Sequence, residues 1–178
     1  RVRTGEIVGD LYRPVDFHGY WFTTDVGRFG FQLLFRGIPP VLLGSVVFDL
    51  ALPNDASTWV AFLLSVCLAL AVSFGVRYLA SLSAFWLLDT RGVWQMTAVV
   101  SMFLAGIMVP LGFLPDGVRE VVLWLPFAAI SQLSIDILLG HADVAPMLAR
   151  QAIWAVALAL LGRAVTRRAF RKVVVQGG

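Results

Sequence analysis

The feature that most constrains this chain is the apolar run from Trp59 to Phe85, in which Arg77 is the only charged residue. A helix of this length extends about 40 Å, more than the ~30 Å of hydrocarbon in a bilayer. The run therefore predicts a transmembrane helix that tilts or protrudes. The whole chain agrees, because 59% of its 178 residues are hydrophobic and 14% are charged, whereas soluble domains are about half apolar and a quarter charged. The sequence predicts an all-α, polytopic membrane protein.

Four apolar runs predict four transmembrane helices. Pro39 and Pro40 are expected to kink the first run or to begin a new helix within it, because proline cannot donate a backbone hydrogen bond. Trp59, Trp86 and Trp94 lie at predicted span ends, where aromatic residues concentrate in membrane proteins. The predicted spans are residues 27–52, 59–86, 93–113 and 146–165.

Residues 114–143 are apolar but interrupted by Pro126 and several polar residues. Five basic residues lie in the first 36 positions and five from Arg163 onward. Because basic residues concentrate on the cytoplasmic side, both ends of the chain are expected in the cytoplasm, which requires an even number of crossings. We therefore predict four spans, an extracytoplasmic re-entrant pair of short helices hinged at Pro126, and a basic cytoplasmic tail at 166–178. The alternative is that Val121–Leu139 is a true span and another span is wrongly assigned.

The chain offers little catalytic chemistry of its own. Lys172 is the only lysine, and no Gly-x-x-x-x-Gly-Lys-Ser/Thr loop for nucleotide phosphates occurs. His18 and His141 lie in different loops, so no clustered metal ligands are predicted. The four spans carry no acidic residue at the bilayer midplane, which argues against transport coupled to ions through buried carboxylates. We expect no enzyme activity, no cofactor and no nucleic-acid partner, and an energy source in a partner protein. Nearly all basic residues are arginine, whose codons are GC-rich, and this bias favours a bacterial source.

Residues 1–16 are polar and predict a short amphipathic helix. Thr4 is a plausible N-cap, and Pro14 ends the helix. The helix either lies in the lipid headgroup layer or docks on a soluble partner. Balanced charges favour docking, because helices on lipid surfaces are usually richer in Lys and Arg. The apolar face holds Ile7, Val8, Leu11 and Tyr12, and the charged face holds Glu6, Asp10 and Arg13.

Four short stretches carry a resemblance to a known family: Arg3-Thr4-Gly5-Glu6-Ile7, Leu11-Tyr12-Arg13-Pro14-Val15-Asp16, Leu125-Pro126-Phe127 and Gln176-Gly177-Gly178. They resemble stretches of type-2 ABC exporter permeases, in the viologen-exporter-like branch. The cytoplasmic motif of that family is an Arg-x-Gly-Glu turn followed by Leu-Leu-Arg-Pro-Val/Leu, and Tyr12 departs from its second Leu.

The resemblance implies the membrane subunit of an ATP-driven exporter in a bacterial plasma membrane. Such a subunit pairs with a second permease copy or a paralogue, and with cytoplasmic ATPase subunits that bind ATP and Mg. The family has six spans with this motif after the second, so two N-terminal spans are expected to be missing from the chain. A non-transport membrane scaffold or assembly protein is the alternative function, and a membrane enzyme is less favoured.

The resemblance also implies two sets of functional residues. Residues 1–16 would form a coupling helix, and a second set would form an extracytoplasmic gate at the re-entrant pair. The coupling residues are Glu6, Ile7, Asp10, Leu11, Tyr12, Arg13, Pro14 and Asp16, and the gate residues are Leu125, Pro126 and Phe127.

Overall fold

A computed structural model describes residues 17–48, 53–87, 89–141 and 143–170. All regular structure in these residues is helical, which confirms the all-α prediction for this part of the chain. The predicted coupling segment at 1–16 and the tail beyond 170 lie outside the described residues. The α-helices are α1 (Phe17–Gln32), α2 (Ile38–Val47), α3 (Ala56–Leu82), α4 (Arg91–Leu104), α5 (Asp116–Trp124), α6 (Gln132–Leu138) and α7 (Val144–Phe170).

Three helical stretches in the described part are long and apolar enough to cross a membrane: Gly19–Val47, Ala56–Phe85 and Val144–Ala169. They overlap the predicted spans 27–52, 59–86 and 146–165. The predicted span 93–113 is not among them, because α4 ends at Leu104 after 14 residues, about 21 Å of helix. The chain is therefore a multi-pass membrane protein, while the number of four spans stays a prediction.

The first of these stretches changes helical geometry in its middle. Between α1 and α2 the chain forms a π-helical segment, Leu33–Gly37, and the Ile38 N–H donates to the Leu33 carbonyl five residues earlier. Prolines occupy the first positions of α2. Since they cannot donate to the preceding turn, they interrupt the normal hydrogen-bond ladder there. The prediction at Pro39 and Pro40 was a kink or a new helix, and a new α-helical segment begins there, at Ile38.

Helices α3 and α7 pack side by side and form the main core. Val72, Leu133 and Leu158 belong to one buried apolar cluster. The two helices approach closely at Gly75, where an added Cβ would lie 2.7 Å from the Leu158 Cβ. A small residue at such a crossing allows the two backbones to approach each other, as is usual between membrane helices.

Contacts along α3 and α7 show that these two helices run parallel. Positions that meet increase together along both helices. The contact pairs are Ser65 with Gln151, Gly75 with Leu158, and Tyr78 with Thr166.

The path of the chain indicates that the first span runs opposite to α3. Near its start, the Phe22 ring packs on the Phe74 ring at 5.2 Å between centroids, which is late in α3. The short link from Val47 to Ala56 can extend only about 30 Å, so the end of α2 must lie near the start of α3. Val47, Ala56 and Val144 therefore lie toward one end of the bundle, here called the Val144 end. The opposite end, where α3 finishes, is called the Arg77 end.

The region 114–143 contains two short helices on either side of Pro126. Leu125 is extended, with ψ 154°, as expected for a residue that precedes proline. Val122 is the one buried residue of α5. Helix α6 is more enclosed, and Leu133 and Ile137 in it are almost fully buried. A break at Pro126 was predicted and is observed, while the re-entrant placement of the pair in the membrane stays a prediction.

Candidate functional site: a buried polar cluster and an interhelical ion pair

The predicted site residues fall into two groups. All eight predicted coupling residues lie outside the described part of the chain. The predicted gate residues are half-buried and occupy the break between α5 and the short 3-10 turn Ala128–Ile130. These gate residues are Leu125, Pro126 and Phe127.

Three polar side chains from three different helices meet in the core. Ser65 of α3 donates to the Gln151 Oε1 of α7 over 2.8 Å, and its Oγ lies 2.8 Å from the Ser134 Oγ of α6. Gln151 Nε2 donates in turn to the Ala129 carbonyl at 3.0 Å and to the Ser134 Oγ at 3.3 Å. Ser65 and Gln151 are fully buried. We call Ser65, Ser134 and Gln151 the polar cluster.

The polar cluster holds the broken segment against the two long helices. Ala129 lies in the 3-10 turn between α5 and α6, and its buried carbonyl accepts from Gln151. A buried carbonyl needs such a partner, and irregular backbone at membrane depth is tolerated only where protein or water satisfies it. Gln151 therefore makes the irregular turn compatible with an apolar surrounding.

Sequence reasoning missed Gln151. The residue is the single uncharged polar position of the predicted span 146–165, and no role was assigned to it. A usable signal was present, because Gln151 is the one glutamine or asparagine in that span, and amide side chains within spans commonly bond to other helices.

A second polar contact lies within α6, and the turn after α4 packs against it. Gln132 Nε2 donates to the Asp136 Oδ1 at 2.8 Å, and Asp136 is buried. Gly106, two residues after α4, has φ +76°, and an added Cβ would lie 2.4 Å from the Gln132 Oε1. Glycine is required here by both backbone conformation and space. The turn after α4 is thereby fixed against the start of α6.

Arginines mark a common depth at the Arg77 end. Arg28, Arg77 and Arg163 each lie about 20 residues along a helix from the Val144 end, which corresponds to ~30 Å. That distance matches the hydrocarbon thickness of a bilayer. Arginine at such a border can keep its stem in apolar surroundings while its guanidinium reaches water.

At this border, Asp25 links α1 to α3. Its Oδ2 pairs with the Arg77 Nη2 at 2.5 Å, and its Oδ1 pairs with the Arg28 Nη2 at 2.6 Å. The Asp25 side chain is 10% exposed, against 35% for Arg77 and 62% for Arg28. Arg77 Nε also donates to the Ser73 carbonyl. Within the described residues, Asp25–Arg77 is the one ion pair that joins two helices.

Comparison with known proteins gives the chain a family. A family model described as "ABC-2 family transporter protein" matches residues 1–177. The chain belongs to the ABC-2 transporter family. No curated protein matched it, and no solved structure did. As an ABC-2 family member, the chain is a membrane subunit of an ABC transporter, and membership implies a cooperating ATP-binding subunit.

The match confirms the resemblance at the level of the family. Members are membrane components of transporters and not themselves enzymes. The viologen-exporter-like branch and the two preceding spans stay predictions. In this ABC-2 chain, the polar cluster lies in the half of the bundle toward the Val144 end, and the Asp25–Arg77 pair lies at the other end.

Proposed function

We propose that the chain is the membrane subunit of an ATP-driven exporter coupled to separate cytoplasmic ATPase subunits. The observation that carries this proposal is the family match over residues 1–177, because the matched region includes the whole segment 1–16. A second permease copy or a paralogue would complete the pathway. ATP and Mg would bind to the ATPase partners, and the complex would reside in a bacterial plasma membrane.

The distribution of basic residues supports a cytoplasmic Arg77 end. Arg28, Arg77 and Arg163 lie at this end, and Arg167 and Arg168 follow in the last turn of α7. Basic residues favour the cytoplasmic side of a membrane. The segment 1–16 leads directly into α1, whose start packs against the late part of α3. The proposed coupling segment would therefore lie on the cytoplasmic side, where an ATPase could bind it.

The parallel packing of α3 and α7 supports four crossings. Two parallel spans require the chain between them to cross the membrane once in the opposite direction. Helix α4 covers about 21 Å of that path, and the buried residues Ala105 and Leu111 continue it toward the Val144 end. In this proposal 114–143 is the extracytoplasmic re-entrant pair, and Leu125–Phe127 is its gate.

The proposed mechanism is a movement of rigid elements. Closure of the ATPase subunits on ATP would displace the coupling helix and tilt the spans between inward-facing and outward-facing states. The chain supplies the pathway and the docking surface, and the partner supplies the free energy of ATP hydrolysis.

Substitutions in the coupling segment test this function. Leu11→Ala is expected to weaken ATPase association well over tenfold, because truncating a buried leucine costs about 2–5 kcal/mol in a packed site. Arg13→Ala should have a milder effect, since an exposed ion pair contributes about 0–1 kcal/mol. Both variants should insert normally into membranes. The measurement is a pull-down of the ATPase subunit, with crosslinking from Tyr12→Cys as a proximity check.

Two results would contradict the proposal. Wild-type ATPase retention by Leu11→Ala, together with no crosslink from position 12, would favour a helix that only rests on lipid. A purified chain that is a stable monomer and transports in liposomes without an added ATPase would exclude the ATP-driven exporter.

A further inference from the structure

We propose that Asp25 and Arg77 form the contact through which a displacement of the coupling segment reaches α3. This proposal rests on the proposed function, in which residues 1–16 bind an ATPase. It adds the residues that pass the movement on. Both act as positioning residues.

The first argument is that the first span is attached to the bundle at one end only. Near its start, Phe22 packs on Phe74 and Asp25 pairs with Arg77. Beyond the π-helical segment, no residue of α2 is buried, and the π-helical segment itself contains no buried residue. A movement of the segment before α1 can therefore be passed to the described bundle mainly through the first part of α1.

The second argument is that the ion pair fixes direction, which ring contacts alone do not. Charge-assisted hydrogen bonds are short and directional, whereas apolar surfaces can slide past each other. Arg28 holds the second Asp25 oxygen from the next turn of the same helix. The Ser73 carbonyl holds the Arg77 Nε. Both partners are thus held in place by their own helices.

The third argument concerns what lies on each side of the pair. The π-helical segment Leu33–Gly37 and the prolines after it interrupt the helix, so α1 can move without carrying α2 with it. On the other side, Gly75 and Tyr78 flank Arg77 and contact α7 directly. A displacement that reaches Arg77 therefore reaches α3 and α7 together.

The test compares neutralised and restored pairs in the complete permease–ATPase complex in nanodiscs. The variants are Asp25→Asn, Arg77→Gln and the exchange Asp25→Arg with Arg77→Asp. Arg163→Gln is the matched control, because this arginine lies at a similar depth on α7 and is exposed. Two quantities are measured: ATPase retention in a pull-down, and the change in amide hydrogen exchange of residues 105–143 when ATP is trapped with vanadate.

The expected result separates binding from transmission. Both single variants should retain the ATPase like the wild type and lose most of the ATP-dependent exchange change at 105–143. The charge exchange should restore that change, and Arg163→Gln should keep it. Single variants that keep the full exchange change would overturn the proposal. Single variants that lose the ATPase itself would also overturn it, because the pair would then serve assembly.

A reversible link covers the case in which a neutralised variant does not fold. The double variant Asp25→Cys with Arg77→Cys, in a Cys67→Ser background, is joined with a short bis-methanethiosulfonate and released with reductant. The joined form should show the exchange change and the released form should lose it, in the same folded protein. Equal changes in the two forms would overturn the proposal. A wild-type chain that retains no ATPase would instead contradict the proposed function.

Discussion

At the scale of single residues, Gln151 is expected to stabilise the fold through its buried hydrogen bonds. Replacing it with Leu leaves the buried Ala129 carbonyl without its donor. An unsatisfied buried polar group costs about 1–3 kcal/mol, whereas hydrogen bonds between membrane helices average only ~0.6 kcal/mol. We expect Gln151→Leu to lower the free energy of unfolding by about 1–3 kcal/mol, because the Ala129 carbonyl belongs to an irregular turn. The measurement is the free energy of unfolding in detergent micelles.

Gln95→Leu is the matched control, since Gln95 is exposed on α4. A change at Gln151 as small as the one at Gln95 would show that the polar cluster contributes little to stability.

Single residues were predictable from sequence where their effect is local. Pro126 imposes an extended conformation on Leu125 by direct contact, so the break was predicted correctly. Ser65 bonds to Gln151, 86 positions away, and Asp25 pairs with Arg77, 52 positions away. No periodic pattern in the sequence indicates either contact. No signal in the sequence indicated that Arg77 pairs with Asp25, because Asp25 lies before the predicted start of the first span at residue 27.

At the scale of helices, the crossing of α3 and α7 depends on Gly75. A larger side chain would meet the Leu158 Cβ, and overpacking typically costs about 1–3 kcal/mol. We expect Gly75→Val to lower the free energy of unfolding by that amount, and Leu158→Ala to recover part of the loss in the double variant. A double-mutant cycle measures the coupling between the two positions.

Gly27→Val in α1 is the control, because an added Cβ there has no atom within 4 Å. Equal destabilisation at positions 27 and 75 would show that the close approach of α3 and α7 is not the cause of the loss.

Helix ends were harder to predict than helix existence. The run 93–113 contains no charged residue, so the charge pattern carries no signal for the end of α4 at Leu104. That end coincides with Gly106, whose positive φ terminates helices and whose space is limited by Gln132 from α6. Helix α1 begins at Phe17, ten residues before the predicted start of the first span at residue 27.

At the scale of the whole molecule, the parallel arrangement of α3 and α7 predicts the sidedness of the loops. Asp116 and Asp143 are both exposed. Single cysteines at these positions, in a Cys67→Ser background, should both react with an impermeant thiol reagent from outside the cell. Reaction of one from outside and of the other only from inside would mean that 121–139 crosses the membrane, and would contradict the four-crossing architecture.

The polar cluster also has a consequence for biosynthesis. Ser65 and Gln151 are 86 positions apart, which at a synthesis rate of about 5–20 residues per second corresponds to roughly 4–17 s. During that interval α3 has been synthesised and Gln151 has not, so Ser65 lacks the amide oxygen to which it donates. The polar cluster of the nascent chain is therefore incomplete until α7 is synthesised. Ribosome-bound chains stopped before residue 151 should stay associated with the insertion machinery longer than chains that include α7.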